Sequence, residues 1–243
     1  MSLLVSLRIA HPLVSSAQRC FMRLAFGAFC ACAGAVSAHA GVAVFNEAEL
    51  DKIYSQPPVL DATKIDIRFN PVVTLDQPSL LTINTETQLE ALFGLGGDAP
   101  TINLFFVDAL NECGGETLPA AIGCGETDGN HIAVESSFAA KAGSGGNPGL
   151  GSVLIAHELG HNLGLPHVSD ASNLMNATLN GSWTLTQAQV DAILVSNLVQ
   201  TDLNGARFIS ITPFAVVPEP ATMLFASVGA LWAVQLVRRR AIA

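Results

Sequence analysis

The spacing of apolar residues along the chain changes between a helical and an extended period, and the changes mark out the elements. Asn46 is placed to cap a short helix running to Tyr54, with Glu49 three residues on as its capping-box partner, and Pro57 and Pro58 end it. Lys64 to Phe69 alternates, with Ile65, Ile67 and Phe69 on one side, and reads as a half-buried strand. Leu89, Leu92 and Phe93 recur at helical spacing in Thr85–Phe93, which Gly94, Gly96 and Gly97 close. Thr101 to Leu110 is almost continuously apolar, as a central strand buried on both faces would be. Leu118 to Ile122 suits an edge strand, and His131 to Glu135 a further short strand after the turn Asp128-Gly129-Asn130. Two helices follow. The first has Asn147 as N-cap, Pro148 at the first helical position and Gly164 as its left-handed end; the second has the capping box Thr186/Gln189 and the stripe Val190, Ile193, Leu194 and Leu198. Strand, helix, strands, helix is an α/β (α+β) order, with no internal repeat.

The two ends of the chain follow a different pattern. Leu24 to Ala38 is uncharged and apolar, follows Arg19 and Arg23, and runs into Ala38-His39-Ala40, as in a secretory signal peptide cleaved after Ala40. The apolar run is shorter than the roughly 20 residues a spanning anchor needs. Met22 is an alternative start for such a leader. At the other end, Ala221 to Val237 has no charge and precedes Arg238, Arg239 and Arg240, which reads as a membrane segment with its arginine end in the cytoplasm. The order Pro218-Glu219-Pro220, apolar run, arginine cluster resembles the PEP-CTERM sorting signal. That resemblance implies recognition and removal by an exosortase in a Gram-negative bacterium, with transient anchoring in the inner membrane and final delivery to the cell surface or medium. An ordinary C-terminal anchor is the alternative. The expected organisation is therefore 1–40 signal peptide, 41–217 working domain and 218–240 sorting signal.

Composition narrows the function classes. Half of the 243 residues are hydrophobic and 13% are charged, which excludes a disordered chain. Residues 41–217 keep five basic and nineteen acidic side chains, a net charge of −14, so nucleic acid is excluded as a partner. Cys113 and Cys124 are the two cysteines left after the leader; in an oxidising compartment a disulfide is the favoured reading, with free thiols or a metal-bound thiolate as alternatives.

The chemistry is concentrated in His157-Glu158-Leu159-Gly160-His161-Asn162-Leu163-Gly164-Leu165-Pro166-His167. On a helix, residues four apart lie about 40° apart around the axis, so His157 and His161 face one way and can share a tetrahedral metal. Gly164 allows the reversal that carries His167 back as a third ligand. Three protein ligands leave the fourth zinc position open, the catalytic pattern, and Glu158 stands where a general base would reach the water. His131 fits better as a strand residue with a satisfied side chain than as a ligand. The acidic stretch Glu112–Asp128 is a candidate for structural Ca2+ but lacks EF-hand spacing.

Together with Ser172-Asn173-Leu174-Met175-Asn176, this motif resembles the metzincin metalloproteases of the matrixin-like and reprolysin-like kind, whose extended zinc motif is followed by a Met-turn. The resemblance implies a twisted mixed sheet, an active-site helix and a small C-terminal helical part. It also implies one catalytic Zn2+, Met175 beneath the site and a polypeptide substrate. Val168 after the third histidine matches no particular subfamily, Ala177 stands where some metzincins carry a tyrosine, and Tyr54 is the chain's one tyrosine. No cysteine-switch propeptide is recognisable. The expectation is an exported zinc endopeptidase; the alternative is a surface or biofilm-matrix protein that keeps the zinc fold for binding only.

Overall fold

The computed structural model describes residues 3–8, 42–56 and 64–217. The expected cleavage site at Ala40, the apolar run 24–38 and the whole of 218–240 lie outside the described residues, and among the described residues no helix is long and apolar enough to cross a membrane.

Inside the expected leader, Leu3–Arg8 forms strand β1. Helix α1 (Glu47–Ile53) begins at Asn46, whose side chain accepts the Glu49 N–H. The expected capping box is only half made, because the Glu49 carboxylate turns away to the N–H groups of Gly143 and Gly149. Strand β2 (Ile65–Phe69) buries Ile65 and Ile67, and β3 (Val73–Asp76), a 3-10 turn at Pro78–Leu80 and β4 (Thr82–Ile83) follow. Helix α2 (Glu86–Phe93) is capped by Thr85.

The apolar run from Thr101 divides into two strands, where one was expected. β5 (Ile102–Val107) is buried throughout, and β6 (Ala109–Cys113) starts after a break at Asp108, whose N–H is held by the Leu81 carbonyl. β7 (Glu116–Thr127) is longer than expected, and β8 (His131–Glu135) has the expected bounds. After α3 (Ser136–Ala139), helix α4 (Leu150–Asn162) starts later than expected. Asn147 is taken up by a bridge to Ser144 across a turn in which Gly145 and Gly146 both have positive φ, so Gly149 becomes the cap. Helix α5 (Gln187–Leu194) keeps the Thr186/Gln189 capping box but ends before Leu198, which still packs in the core. The chain then returns through β9 (Gln200–Thr201) and β10 (Arg207–Val217), an 11-residue strand for which the sequence raised no expectation.

These strands form one mixed sheet in the order β2-β10-β5-β8-β7-β6-β4. β10 runs parallel to β2, β3 and β5, and β5 parallel to β8, while β7 is antiparallel to β8 and β6. Alternation along β5 splits the core. Ile102, Leu104 and Phe106 face α1, α4 and α5; Phe105 and Val107 face α2 and the cysteines. A parallel sheet needs cover on both sides, and the two apolar clusters provide it. Cys113 and Cys124 form a disulfide that ties the end of β6 to the middle of β7. Beyond Ala121 the outer side of β7 is paired by β1, antiparallel, up to Thr127.

Candidate metal centre

Helix α4 is buried along nearly its whole length, so it has almost no polar outer face. His157, Glu158 and His161 are therefore enclosed, each at 0% exposure. The helix ends where expected. Gly164 takes φ +86°, its N–H reaches the His161 carbonyl and that of Leu165 reaches Gly160 at 2.9 Å, the paired bonds of a Schellman motif. The reversal brings His167 over the helix. The Nε2 atoms of His157, His161 and His167 then form a triangle with all three sides 3.2 Å.

That triangle fits a metal. Nitrogens bound at about 2.0 Å to a tetrahedral ion stand about 3.3 Å apart. The rings are also oriented for it: His157 Nδ1 lies 2.7 Å from the Leu174 carbonyl and His161 Nδ1 lies 2.8 Å from that of Leu165. Each carbonyl can only accept, so both rings carry the proton on Nδ1 and direct an Nε2 lone pair to the centre of the triangle. Burial lowers the His157 pKa to about 4, against the opposing pull of the Leu174 carbonyl. Burial and the neighbouring imidazoles lower that of His161 to about 3, and burial also lowers His167. All three are neutral at pH 7, the form that ligates a metal.

Glu158, the residue after His157 on α4, packs against β7. Burial pushes its carboxyl well above the ordinary carboxylate range, opposed by the Gly125 N–H. Neither oxygen completes a hydrogen bond of normal geometry among the described residues. A buried acid left in this state is unusual in a fold and common at a site of proton transfer.

Met175 is fully buried, and its sulfur occupies the space a side chain at Gly160 would need. The glycine between the two helical histidines is therefore what lets the methionine close under them. The turn bearing Met175 is held by Asn173 and Gln189, whose link to each other the sequence did not reveal. Asn173 Oδ1 accepts the Met175 N–H at 2.9 Å, its amide nitrogen donates to Gln189 Oε1 at 2.8 Å, and Gln189 is in turn the capping-box residue of α5. The box was readable from Thr186; its tie to the metal centre was not. Val168 N–H bonds the Met175 carbonyl at 2.9 Å, which makes the residue after His167 a strut of the turn.

Other expected residues sit elsewhere. His131 Nδ1 is 2.7 Å from Glu126 and its ring stacks on Phe93, so it is a satisfied strand residue away from the triangle. Tyr54 is buried and bonds the Ala156 carbonyl, so it is no donor to a substrate. The acidic stretch from Glu112 is spent largely on β6 and β7; among the described residues the three histidines are the one group of at least three potential ligands that converges.

Comparison with known proteins adds one match. The matrixin peptidase family model matches residues 121–198, from β7 through α5, the segment that holds Glu158, the three histidines and Met175. No curated protein and no solved structure matches the chain. The matrixin match and the convergent histidines together support a metzincin-type metallopeptidase.

Proposed function

We propose that the chain is an exported zinc-dependent endopeptidase in which His157, His161 and His167 hold one catalytic ion and Glu158 is the general base. The equilateral 3.2 Å triangle of Nε2 atoms carries this reading, because its dimensions and the Nδ1 protonation of two rings suit a tetrahedral ion with one position left open. Zinc, when bound, supplies Lewis acidity toward water and the scissile carbonyl.

The chain's own groups do the remaining work. Glu158 takes a proton from the attacking water and passes it to the leaving amine. Its buried setting matches that task, since a base that must also release a proton works best with a pKa raised toward the working pH. The Leu174 and Leu165 carbonyls hold two of the rings, and Met175 closes the floor. The leader at 1–40 and the tail at 218–240 support export and exosortase-type sorting to the surface of a Gram-negative cell.

The test is Glu158→Ala with metal content and casein hydrolysis measured on the same sample. The expected result is one zinc per chain and no cleavage. Cleavage at the wild-type rate removes Glu158 from the mechanism, and a wild-type chain that binds zinc without cleaving points to the binding-only alternative.

A further inference from the structure

Two glycines on β7, Gly123 and Gly125, face α4 on either side of Cys124, whose side chain goes to the opposite face and is fixed there by Cys113. Neither has the positive φ that would demand glycine for its backbone. Glycine inside a strand weakens it, so it commonly marks a place where something approaches closely. Here that something is Glu158.

The two positions differ in what they admit. A Cβ on Gly125 would meet the backbone carbonyl of Glu158 at 2.8 Å before its side chain at 3.1 Å, so this glycine sets the distance between strand and helix. The three atoms nearest a Cβ on Gly123 are all side-chain atoms: it would overlap Glu158 Oε1, and it would stand 2.9 Å from Glu158 Cδ and 2.8 Å from Leu154 Cδ1. The carboxylate therefore occupies the volume that any other residue at 123 would fill. Neither oxygen completes a hydrogen bond of normal geometry among the described residues, and the polar group the carboxylate approaches is the Gly125 N–H of the same strand. Packing against the bare backbone of β7 is then what fixes it.

We infer that Gly123 is a positioning residue for the Glu158 carboxylate, acting by absence: β7 lacks a side chain there so that the base can lie against the strand in its working orientation. The inference rests on Glu158 being the base. The disulfide fits the same role, because it pins the residue between the two glycines to the neighbouring strand and holds the wall of the cradle in register.

The experiment uses the zinc-loaded full chain and casein, with Gly123→Ala, Glu158→Asp and the double variant. Zinc content, melting temperature, kcat and KM are read for each. Gly123→Ala is expected to keep one zinc and its KM while kcat falls by about a hundredfold, the scale of a reacting group displaced by about 1 Å. Shortening the acid by one methylene withdraws it from the added methyl. The same alanine in the Glu158→Asp background should then cost less than about threefold, a non-additive pair. A kcat within twofold of wild type for Gly123→Ala overturns the inference. So does a rise in KM at unchanged kcat, or a loss that multiplies fully in the double variant.

If Gly123→Ala does not fold, Gly123→Ala/Leu154→Ala removes the aliphatic clash and keeps the one with the carboxylate. Low kcat with zinc retained then supports the role, whereas recovery of kcat assigns the glycine to packing and overturns it. Cleavage by wild type that Glu158→Gln abolishes, with Gly123→Ala fully active, sinks the inference alone; no cleavage by wild type sinks both it and the enzyme reading.

Discussion

The hydroxyl of Tyr54 donates a 2.8 Å hydrogen bond to the carbonyl of Ala156, the residue immediately before His157. It joins the last turn region of α1 to the middle of α4 across 102 residues of sequence, wholly inside the core. Burial alone raises the phenol's pKa far above its usual value, so the group is a neutral donor at any working pH. Tyr54→Phe keeps the ring and loses the bond. The expected cost is about 1 kcal/mol, a typical net value for such a bond, with zinc content unchanged. Urea denaturation checks it, and a variant as stable as wild type shows that the Ala156 carbonyl does not need the phenol.

Helix α4 has no side-chain cap, and its N-cap residue Gly149 is held instead by Glu49 of α1. Its carboxylate accepts the Gly149 N–H at 2.7 Å and the Gly143 N–H at 3.3 Å. Partial burial would raise the Glu49 pKa, but the hydrogen bonds from Gly149, Ser152, Gly143 and Asn46 outweigh it and the result lies below 4.5. A carboxylate depressed on folding adds stability that is present above its unfolded pKa and is lost as pH falls through the lower, folded one. The wild type should therefore lose this contribution below about pH 4.5. Glu49→Gln should be less stable by about 1 kcal/mol at neutral pH and should lack that part of the acid slope. Melting temperatures of the two proteins from pH 7 to pH 3 give the comparison; parallel curves would mean that Glu49 carries no such linkage.

How much of this was legible beforehand depended on the range of the interaction. Local features were readable. The Thr186 capping box, the turn at Gly164 and the convergence of His157 and His161 all follow from spacings of three to seven residues. Features set by distant partners were not. Asn147 has the pattern of a cap because Pro148 follows it, but the cap of α4 is Gly149, whose N–H is held by Glu49, a hundred residues earlier. β10 is an interior strand of the sheet, paired by β2, β3, β5 and β9, yet its middle carries Thr212 and Pro213 and gives no clean period. The thread from Gln189 through Asn173 to Met175 depends on where α5 docks, which no local pattern records.

The buried neutral imidazoles favour a metal that binds the folded state and not the unfolded one, so the ion should add to stability. At a thousandfold excess over Kd the gain is about 4 kcal/mol. Chelation is expected to lower the melting temperature by several degrees, and added zinc to restore it. His167→Ala should abolish most of the difference, because it removes one corner of the 3.2 Å triangle. Identical melts with and without chelator would argue against a resident ion.

The disulfide closes a loop between residues eleven apart and joins β6 to β7. Loop-closure entropy for so short a span is about 2 to 3 kcal/mol. Replacing Cys113 and Cys124 together by serine should cost about that much or slightly more, since both positions are buried and serine brings hydroxyls into an apolar cluster. Urea midpoints of the oxidised wild type and the double variant measure it. Equal midpoints would mean that the strand pairing alone holds β7.

Gly164 tests the reversal that brings in the third histidine. At φ +86° an alanine has to adopt a left-handed backbone, which costs about 1 kcal/mol. Its methyl would also meet Asp128 Oδ1 at 2.8 Å. Relief of either strain shifts the segment from Leu165 to His167, and with it the Leu165 carbonyl that orients His161. Two ligands are therefore disturbed by one methyl. Gly164→Ala is expected to lose modest stability and a larger share of zinc affinity, about tenfold or more, the scale seen when groups orienting a ligand are lost. Competition with a zinc-binding dye measures the affinity directly. A variant that is destabilised yet binds zinc as tightly as wild type would show that His167 reaches the metal independently of this turn.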